Sequence, residues 1–195
     1  GYKFADLEFL KKSQQYGLRE ILFSLHGYDK DSHNNLVRNR HGFDKIVAAI
    51  KNAHSLGILV RINCTVTNDN FHHLSTTYAD LIAELAPFEL NFLTLNYWGD
   101  AHNQQPIDYA LITPEIHKAI DRLLNVVPII NVRYTPFCFM VGYERHVCNY
   151  YQHIYDVFDW NIALYDYSLS PTAYVSDRLA HLYEAAKQNR IRTYY

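Results

Sequence analysis

Short runs of consecutive apolar residues alternate along this chain with segments in which apolar residues recur every three or four positions. The continuous runs are typical of strands buried on both faces, and the recurring pattern is typical of helices with one apolar face. The predicted strands are 20–25, 58–67, 88–97 and 127–134, and the predicted helices are 4–10, 43–53, 74–85 and 113–124. Strands that alternate with helices of this length run parallel, so the pattern predicts an α/β fold with an incomplete parallel sheet.

Loops and helix starts follow from the polar residues between these segments. The stretch between the first strand and Phe43 is predicted to be a polar loop. Thr113 followed by Pro114 has the residue types of a helix cap and a first helical position, so a helix is predicted to start there. The chain also enters on a helix that needs a sheet to cover, which predicts further sequence before Gly1.

The pattern changes after Pro136, where aromatic residues, histidines and two cysteines crowd together. A last helix is predicted from Ser176 to about Arg190. We therefore expect two regions. Residues 1–136 form the sheet-and-helix domain, and residues 137–195 form an α-rich aromatic cap or extension.

Composition narrows the function classes. The formal net charge is -2 and there is no long block of lysine and arginine, so no nucleic-acid partner is expected. No run approaches the roughly 18 apolar residues of a spanning helix, so no membrane is expected either. Three cysteines, an odd number, favour reduced thiols and a cytoplasmic location.

Polar and aromatic residues follow each predicted strand. Because ligands of parallel α/β folds lie at the carboxyl ends of the strands, these residues are the candidate site. They are Ser24, His26 and Gly27 after the first strand, Asn63, Thr65, Asn68 and Asn70 after the second, Asn96, Tyr97 and Trp98 after the third, and Arg133, Tyr134 and Cys138 after the fourth. Groups of this kind suit a small polar molecule with a flat ring.

Several of these segments resemble a known family in order and spacing. The segments are Ile21-Leu22-Phe23-Ser24-Leu25-His26-Gly27, then His33-Asn34, Arg38 and Gly42-Phe43, then Val60-Arg61-Ile62-Asn63-Cys64-Thr65-Val66 and Asn70. Together they resemble the fourth and fifth strand units of radical S-adenosylmethionine enzymes, over roughly residues 1–135. The resemblance implies about four units of an incomplete parallel (β/α) barrel of the radical S-adenosylmethionine type.

The resemblance also implies the cofactors and their contacts. Ser24 would bond the carboxylate or ribose of S-adenosylmethionine, and Arg38, or less readily Arg40, would pair with its carboxylate. Asn63 would face the ribose or methionyl part, and the backbone at Leu95-Asn96 would meet the adenine. His26, at a position that varies in the family, and Thr65 complete the expected cofactor-binding set.

A [4Fe-4S] cluster is the second implied cofactor. The family holds it on a CxxxCxxC motif that this sequence lacks, so its ligands are expected upstream of the chain. With the cluster, a reductant such as flavodoxin or ferredoxin would supply electrons, and a 5'-deoxyadenosyl radical would modify a peptide or small-molecule substrate. The chain alone is expected to be inactive.

Three alternatives remain open from the residues. The first is a metal-dependent (β/α)-barrel hydrolase or isomerase that uses His26, Asp29, His33 or His72 as ligands. The second is a non-catalytic barrel homologue that acts as a binding subunit. The third concerns the tail, where Cys138 and Cys148, with nearby histidines, could hold an auxiliary metal site.

Overall fold

The computed structural model describes residues 1–95 and 104–148. The chain divides into two compact units, Gly1–Val147 and Cys148–Tyr195, and the division falls after Val147 instead of after residue 136. The helix expected from Ser176 lies outside the described residues. None of the helices in the described ranges has the length and apolar character that a membrane crossing requires.

The first unit alternates helices and strands, as the pattern predicts. Its strands are β1 (Glu20–Ser24), β2 (Leu59–Val66), β3 (Glu89–Thr94) and β4 (Ile129–Arg133). Its α-helices are α1 (Leu7–Gln15), α2 (Lys30–Val37), α3 (Gly42–Ser55), α4 (Ala79–Leu85) and α5 (Tyr109–Leu123). Single-turn 3-10 segments occupy Tyr2–Ala5, Phe71–His73, Phe137–Phe139 and Glu144–His146, and a π-helical turn occupies Leu74–Tyr78.

The four strands form one parallel sheet in the order β1-β2-β3-β4. This confirms the predicted α/β class and the parallel arrangement. The register places Ser24 beside Asn63, Asn63 beside Asn91, and Asn91 beside Asn131. These four residues therefore form one row across the sheet.

The core lies on one face of this sheet. Alternate residues of β2, such as Val60 and Ile62, are buried with apolar residues of α3, α4 and α5, including Ile50, Ile82 and Ile120. The other positions of β1, β2 and β4 are half-buried or exposed. The expectation of strands buried on both faces was therefore wrong for these three strands, and only β3 is buried along nearly its whole length.

Two helix starts differ from the sequence prediction. The polar stretch after β1 contains α2, where Asp29 caps the helix and forms a capping box with Ser32. Helix α5 begins at Tyr109 with Asp108 as its cap, so Pro114 lies inside the helix and Thr113 does not cap it. The Thr113 hydroxyl instead donates to the carbonyl of Tyr109 at 2.7 Å.

Residues 137–147 pack against the sheet and helices that precede them in the first unit. Met140 and His146 are buried, and Val147 forms a parallel bridge with Val132 of β4. The ring of Tyr143 stacks on His117 of α5, with centroids 4.1 Å apart. This part of the expected extension is therefore continuous with the core of Gly1–Val147.

Candidate functional site

The loops that follow β1 and β2 are joined by side chains from both. The backbone N–H of Thr65 donates to Nδ1 of His26 at 3.0 Å. The buried amide of Asn70 donates to the carbonyl of His26 and to that of Thr65, each at 2.8 Å, while its oxygen accepts from the N–H of Thr67. The ends of the two strands are thereby held in a fixed relation to each other.

His26 is neutral at physiological pH in this setting. Burial disfavours the charged ring and nearby His33 opposes it further, which lowers the pKa of His26 to about 4. An Nδ1 that accepts a backbone N–H must be unprotonated, which agrees with this direction. Nδ1 of His33 likewise accepts from the backbone N–H of His26, at 3.2 Å, and burial also lowers the pKa of His33.

Two buried side chains, Tyr78 and Cys64, pack next to the loop that follows β1. The hydroxyl of Tyr78 donates to the carbonyl of Leu25 at 2.8 Å. Cys64 is fully buried beside it, and burial raises the pKa of its thiol to about 12. A neutral buried thiol of this kind is a packing residue, since metal ligation and nucleophilic chemistry both use the thiolate.

A cavity of about 690 Å³ opens at the carboxyl ends of the strands. Its lining combines the start of α2, the loop after β2 and the end of β3: Tyr28, Asp29, Asp31, Ser32, Asn35, Leu36, Arg38, Thr65, Thr67, Asp69, Asn70, Leu95 and Gln104. Two of the expected cofactor contacts, Arg38 and Thr65, line this cavity. Arg38 is exposed and ends α2 in a left-handed conformation, with a φ of 52°.

The open face of the sheet carries the remaining polar residues. Asn131 donates through Nδ2 to Oδ1 of Asn91 at 3.0 Å, and Asn91 donates through Nδ2 to Oδ1 of Asn63 at 3.0 Å. Ser24 ends the same row and is exposed. One row nearer the amino ends, Arg61 bridges Glu20 at 2.7 Å and Glu89 at 2.9 Å.

The structure therefore divides the expected site residues among three places. Arg38 and Thr65 line the cavity, while Ser24 and Asn63 lie on the open face of β1 and β2. His26 lies between the two strand ends, where its ring orders the backbone. Asn96 lies outside the described residues.

Sequence reasoning missed half of this polar row across the sheet. It selected Ser24 and Asn63 but neither Asn91 nor Asn131. The signal that could have found them is an asparagine flanked by apolar residues in each of three successive strands, as in Ile62-Asn63-Cys64, Leu90-Asn91-Phe92 and Ile130-Asn131-Val132.

The described part of the chain contains no cluster of metal-binding side chains. In residues 1–95 and 104–148, no group of three or more histidine, cysteine, aspartate or glutamate side chains could hold a metal ion. None of the three cysteines forms a disulfide, and Cys138 is exposed whereas Cys148 is half-buried. Within these ranges, neither the proposed ligands of the alternative hydrolase nor Cys138 and Cys148 belong to such a group.

A scan against protein-family models finds no matching model, and a search of curated proteins finds no match. The functional proposal therefore depends on the residues and geometry above.

Proposed function

We propose that this chain is part of a radical S-adenosylmethionine enzyme and contributes the S-adenosylmethionine-binding edge of its partial (β/α) barrel. The observation that supports this most directly is the cavity at the carboxyl ends of the parallel strands, which brings Arg38 and Thr65 together. This is the edge at which ligands bind in parallel α/β folds, and the two residues come from the resembling segments.

The cavity and its polar lining fit the cofactor. Its volume of about 690 Å³ lies within the usual range for small-molecule sites. The guanidinium of Arg38 suits the carboxylate of the methionyl part, because its planar fork can donate two parallel hydrogen bonds. Thr65 offers a hydroxyl to the ribose, and Leu95 offers an apolar surface to the adenine.

The iron-sulfur cluster does not fit the described residues. Cys64 is buried and neutral, and residues 1–95 and 104–148 contain no cluster of three ligands. The proposed role of this chain is therefore to bind and orient S-adenosylmethionine, with the cluster ligands in another part of the protein. In the complete enzyme, a reductant such as flavodoxin or ferredoxin would reduce the cluster, and the resulting radical would modify a peptide or small molecule. We place this reaction in the cytoplasm.

The direct test is calorimetric titration of the 195-residue chain with S-adenosylmethionine. Arg38→Gln should weaken binding by at least roughly tenfold, because a charge-assisted hydrogen bond contributes about 1.5–3 kcal/mol. Arg40→Gln is the matched control, because Arg40 lies two residues away and outside the cavity lining. This variant should bind S-adenosylmethionine with the affinity of the unchanged chain. Equal loss in both variants, or no binding by the unchanged chain, would contradict the proposed site.

The enzymatic part needs the full-length protein. Anaerobic reconstitution with iron and sulfide, followed by an assay for 5'-deoxyadenosine, should give the product in the presence of a reductant. Binding of S-adenosylmethionine without any cluster or product would instead identify a non-catalytic binding subunit.

A further inference from the structure

The row of asparagines on the open face of the sheet has a direction. Its hydrogen bonds run from Nδ2 of Asn131 to Oδ1 of Asn91, and from Nδ2 of Asn91 to Oδ1 of Asn63. A carboxamide can turn its nitrogen and oxygen end for end, so three asparagines alone could form the same row in either direction. Something outside the row must select one of them.

Glu89 supplies that selection. Its Oε1 accepts from Arg61 at 2.9 Å and also lies 3.3 Å from Nδ2 of Asn131. An ionised carboxylate only accepts hydrogen bonds, so the group that Asn131 turns toward it must be the nitrogen. Each following amide is then fixed in turn.

The consequence appears at the β1 end of the row. Oδ1 of Asn63 is occupied by Asn91, which leaves the two N–H donors of Asn63 as its free polar groups. Asn63 is half-buried, and its neighbour Ser24 is exposed, so both are accessible from the open face. Within the described ranges, neither the Asn63 amide nitrogen nor the Ser24 hydroxyl has a protein partner.

We infer that Glu89, Asn131 and Asn91 are positioning residues that make Asn63 a hydrogen-bond donor, so that Asn63 and Ser24 bind an oxygen acceptor of a ligand. The acceptor is a carbonyl or a carboxylate oxygen. This inference applies to any ligand of the open face and does not depend on S-adenosylmethionine.

The first test uses the unchanged 195-residue chain. Side-chain amide exchange with water, followed by NMR, should be at least about tenfold slower for Asn91 and Asn131 than for Asn63, because only the first two donate within the row. Slow exchange at Asn63 together with fast exchange at Asn131 would show the opposite direction and overturn the inference.

The second test asks what the row presents to a ligand. The probes are dimethylformamide, a carbonyl acceptor without N–H groups, acetate as the carboxylate, and methylammonium, which only donates. The first two should give saturable shifts of the Asn63 amide resonances, and methylammonium should not. A response to methylammonium alone would refute the donor assignment, and no response to either dimethylformamide or acetate would refute the binding role of Asn63 and Ser24.

A substitution two strands away separates positioning from simple structural support. In Asn131→Asp, the new carboxylate can only accept, so Asn91 should turn toward it and Asn63 should then present its oxygen. The response of position 63 should shift from dimethylformamide to methylammonium. Ile129→Asp is the matched control, because it adds the same charge on the same strand and face but outside the row, and its preference should stay that of the unchanged chain. Equal behaviour of the two variants would overturn the positioning role, and if Asn131→Asp does not fold, the exchange pattern of the unchanged chain decides.

Discussion

His26 connects the protonation state of one ring to the order of two strand ends. The unfolded chain protonates this residue near its ordinary pKa of 6.5, whereas in the folded chain the pKa lies at about 4. The folded state therefore binds fewer protons between these values. Its contribution to stability is complete above pH 6.5 and decreases as the pH falls toward 4.

This linkage predicts a stability loss of about 2 kcal/mol between pH 7.5 and pH 5.0 from His26 alone. Chemical denaturation at the two pH values measures it, in a range where most carboxylates stay ionised. His26→Asn keeps an acceptor for the N–H of Thr65 but does not titrate, so its pH dependence should be smaller by about that amount. An unchanged pH dependence in His26→Asn would contradict the assignment.

Gly27 is a second single-residue constraint in the same loop. A Cβ at this position would lie 2.1 Å from the backbone nitrogen of His33 and 2.5 Å from its Cα, and a backbone cannot move aside as a flexible side chain can. Gly27→Ala should therefore lower the free energy of unfolding by at least about 2 kcal/mol, as in other overpacked sites.

Gly42→Ala is the control for this prediction. Its Cβ would approach only side-chain atoms, of Tyr2, Val37 and Asn34, at 3.1–3.2 Å. These atoms can shift and alanine favours a helix more than glycine, so the change should stay within about 1 kcal/mol of the unchanged chain. Urea denaturation of both variants makes the comparison, and similar losses would contradict the backbone clash.

Residue types alone could indicate the site only in part. Ser24, Asn63, Thr65 and Arg38 carry recognisable chemistry at strand and helix ends, and the structure brings Arg38 and Thr65 to one cavity. The link from Glu89 to Asn63 depends on register between strands far apart in sequence. The residue types within each strand do not reveal which residues of neighbouring strands lie side by side.

At the scale of elements, the strands and most helices follow from apolar periodicity, whereas α2 does not. Its sequence, Lys-Asp-Ser-His-Asn-Asn-Leu-Val, has few apolar residues, so the periodic signal is weak. The capping box between Asp29 and Ser32 and the packing of α2 against α3 stabilise it instead. Tertiary contacts of this kind override a weak local preference.

The start of α5 gives a test at this scale. Asp108 accepts from the N–H of Ala110 at 2.8 Å, so Asp108→Ala should lower the free energy of unfolding by about 1 kcal/mol. Thr113→Val preserves side-chain volume and removes only a local bond to the Tyr109 carbonyl, so it should be nearly neutral. Thermal unfolding of the two variants measures both losses of stability. A larger loss in Thr113→Val than in Asp108→Ala would contradict Asp108 as the cap.

At the scale of the whole molecule, the parallel order of four strands could be predicted because short loops and crossover helices permit few topologies. The residue at which the first unit ends could not be predicted from the sequence. Residues up to Val147 belong to it because Met140, His146 and Val147 are buried against its core, and an aromatic-rich stretch carries no periodic signal of that packing.

A chain ending at Val147 should therefore fold by itself. We expect residues 1–147 to give dispersed amide resonances and one cooperative urea transition, because this unit has its own core. A chain ending at Pro136 would lose the buried Met140 and the bridge to Val132, and should be several kcal/mol less stable. Equal stability of the two truncations would place the end of the unit earlier.

The two faces of the sheet allow stability and ligand preference to change independently. Along β1, β2 and β4, one residue is buried in the apolar core and the next lies on the open face of the sheet. Substitutions at alternate positions of the same strand should thus fall into two separable classes in a mutational scan. Selection can alter what the open face binds without repacking the interior, and a designer could do the same by changing every second residue.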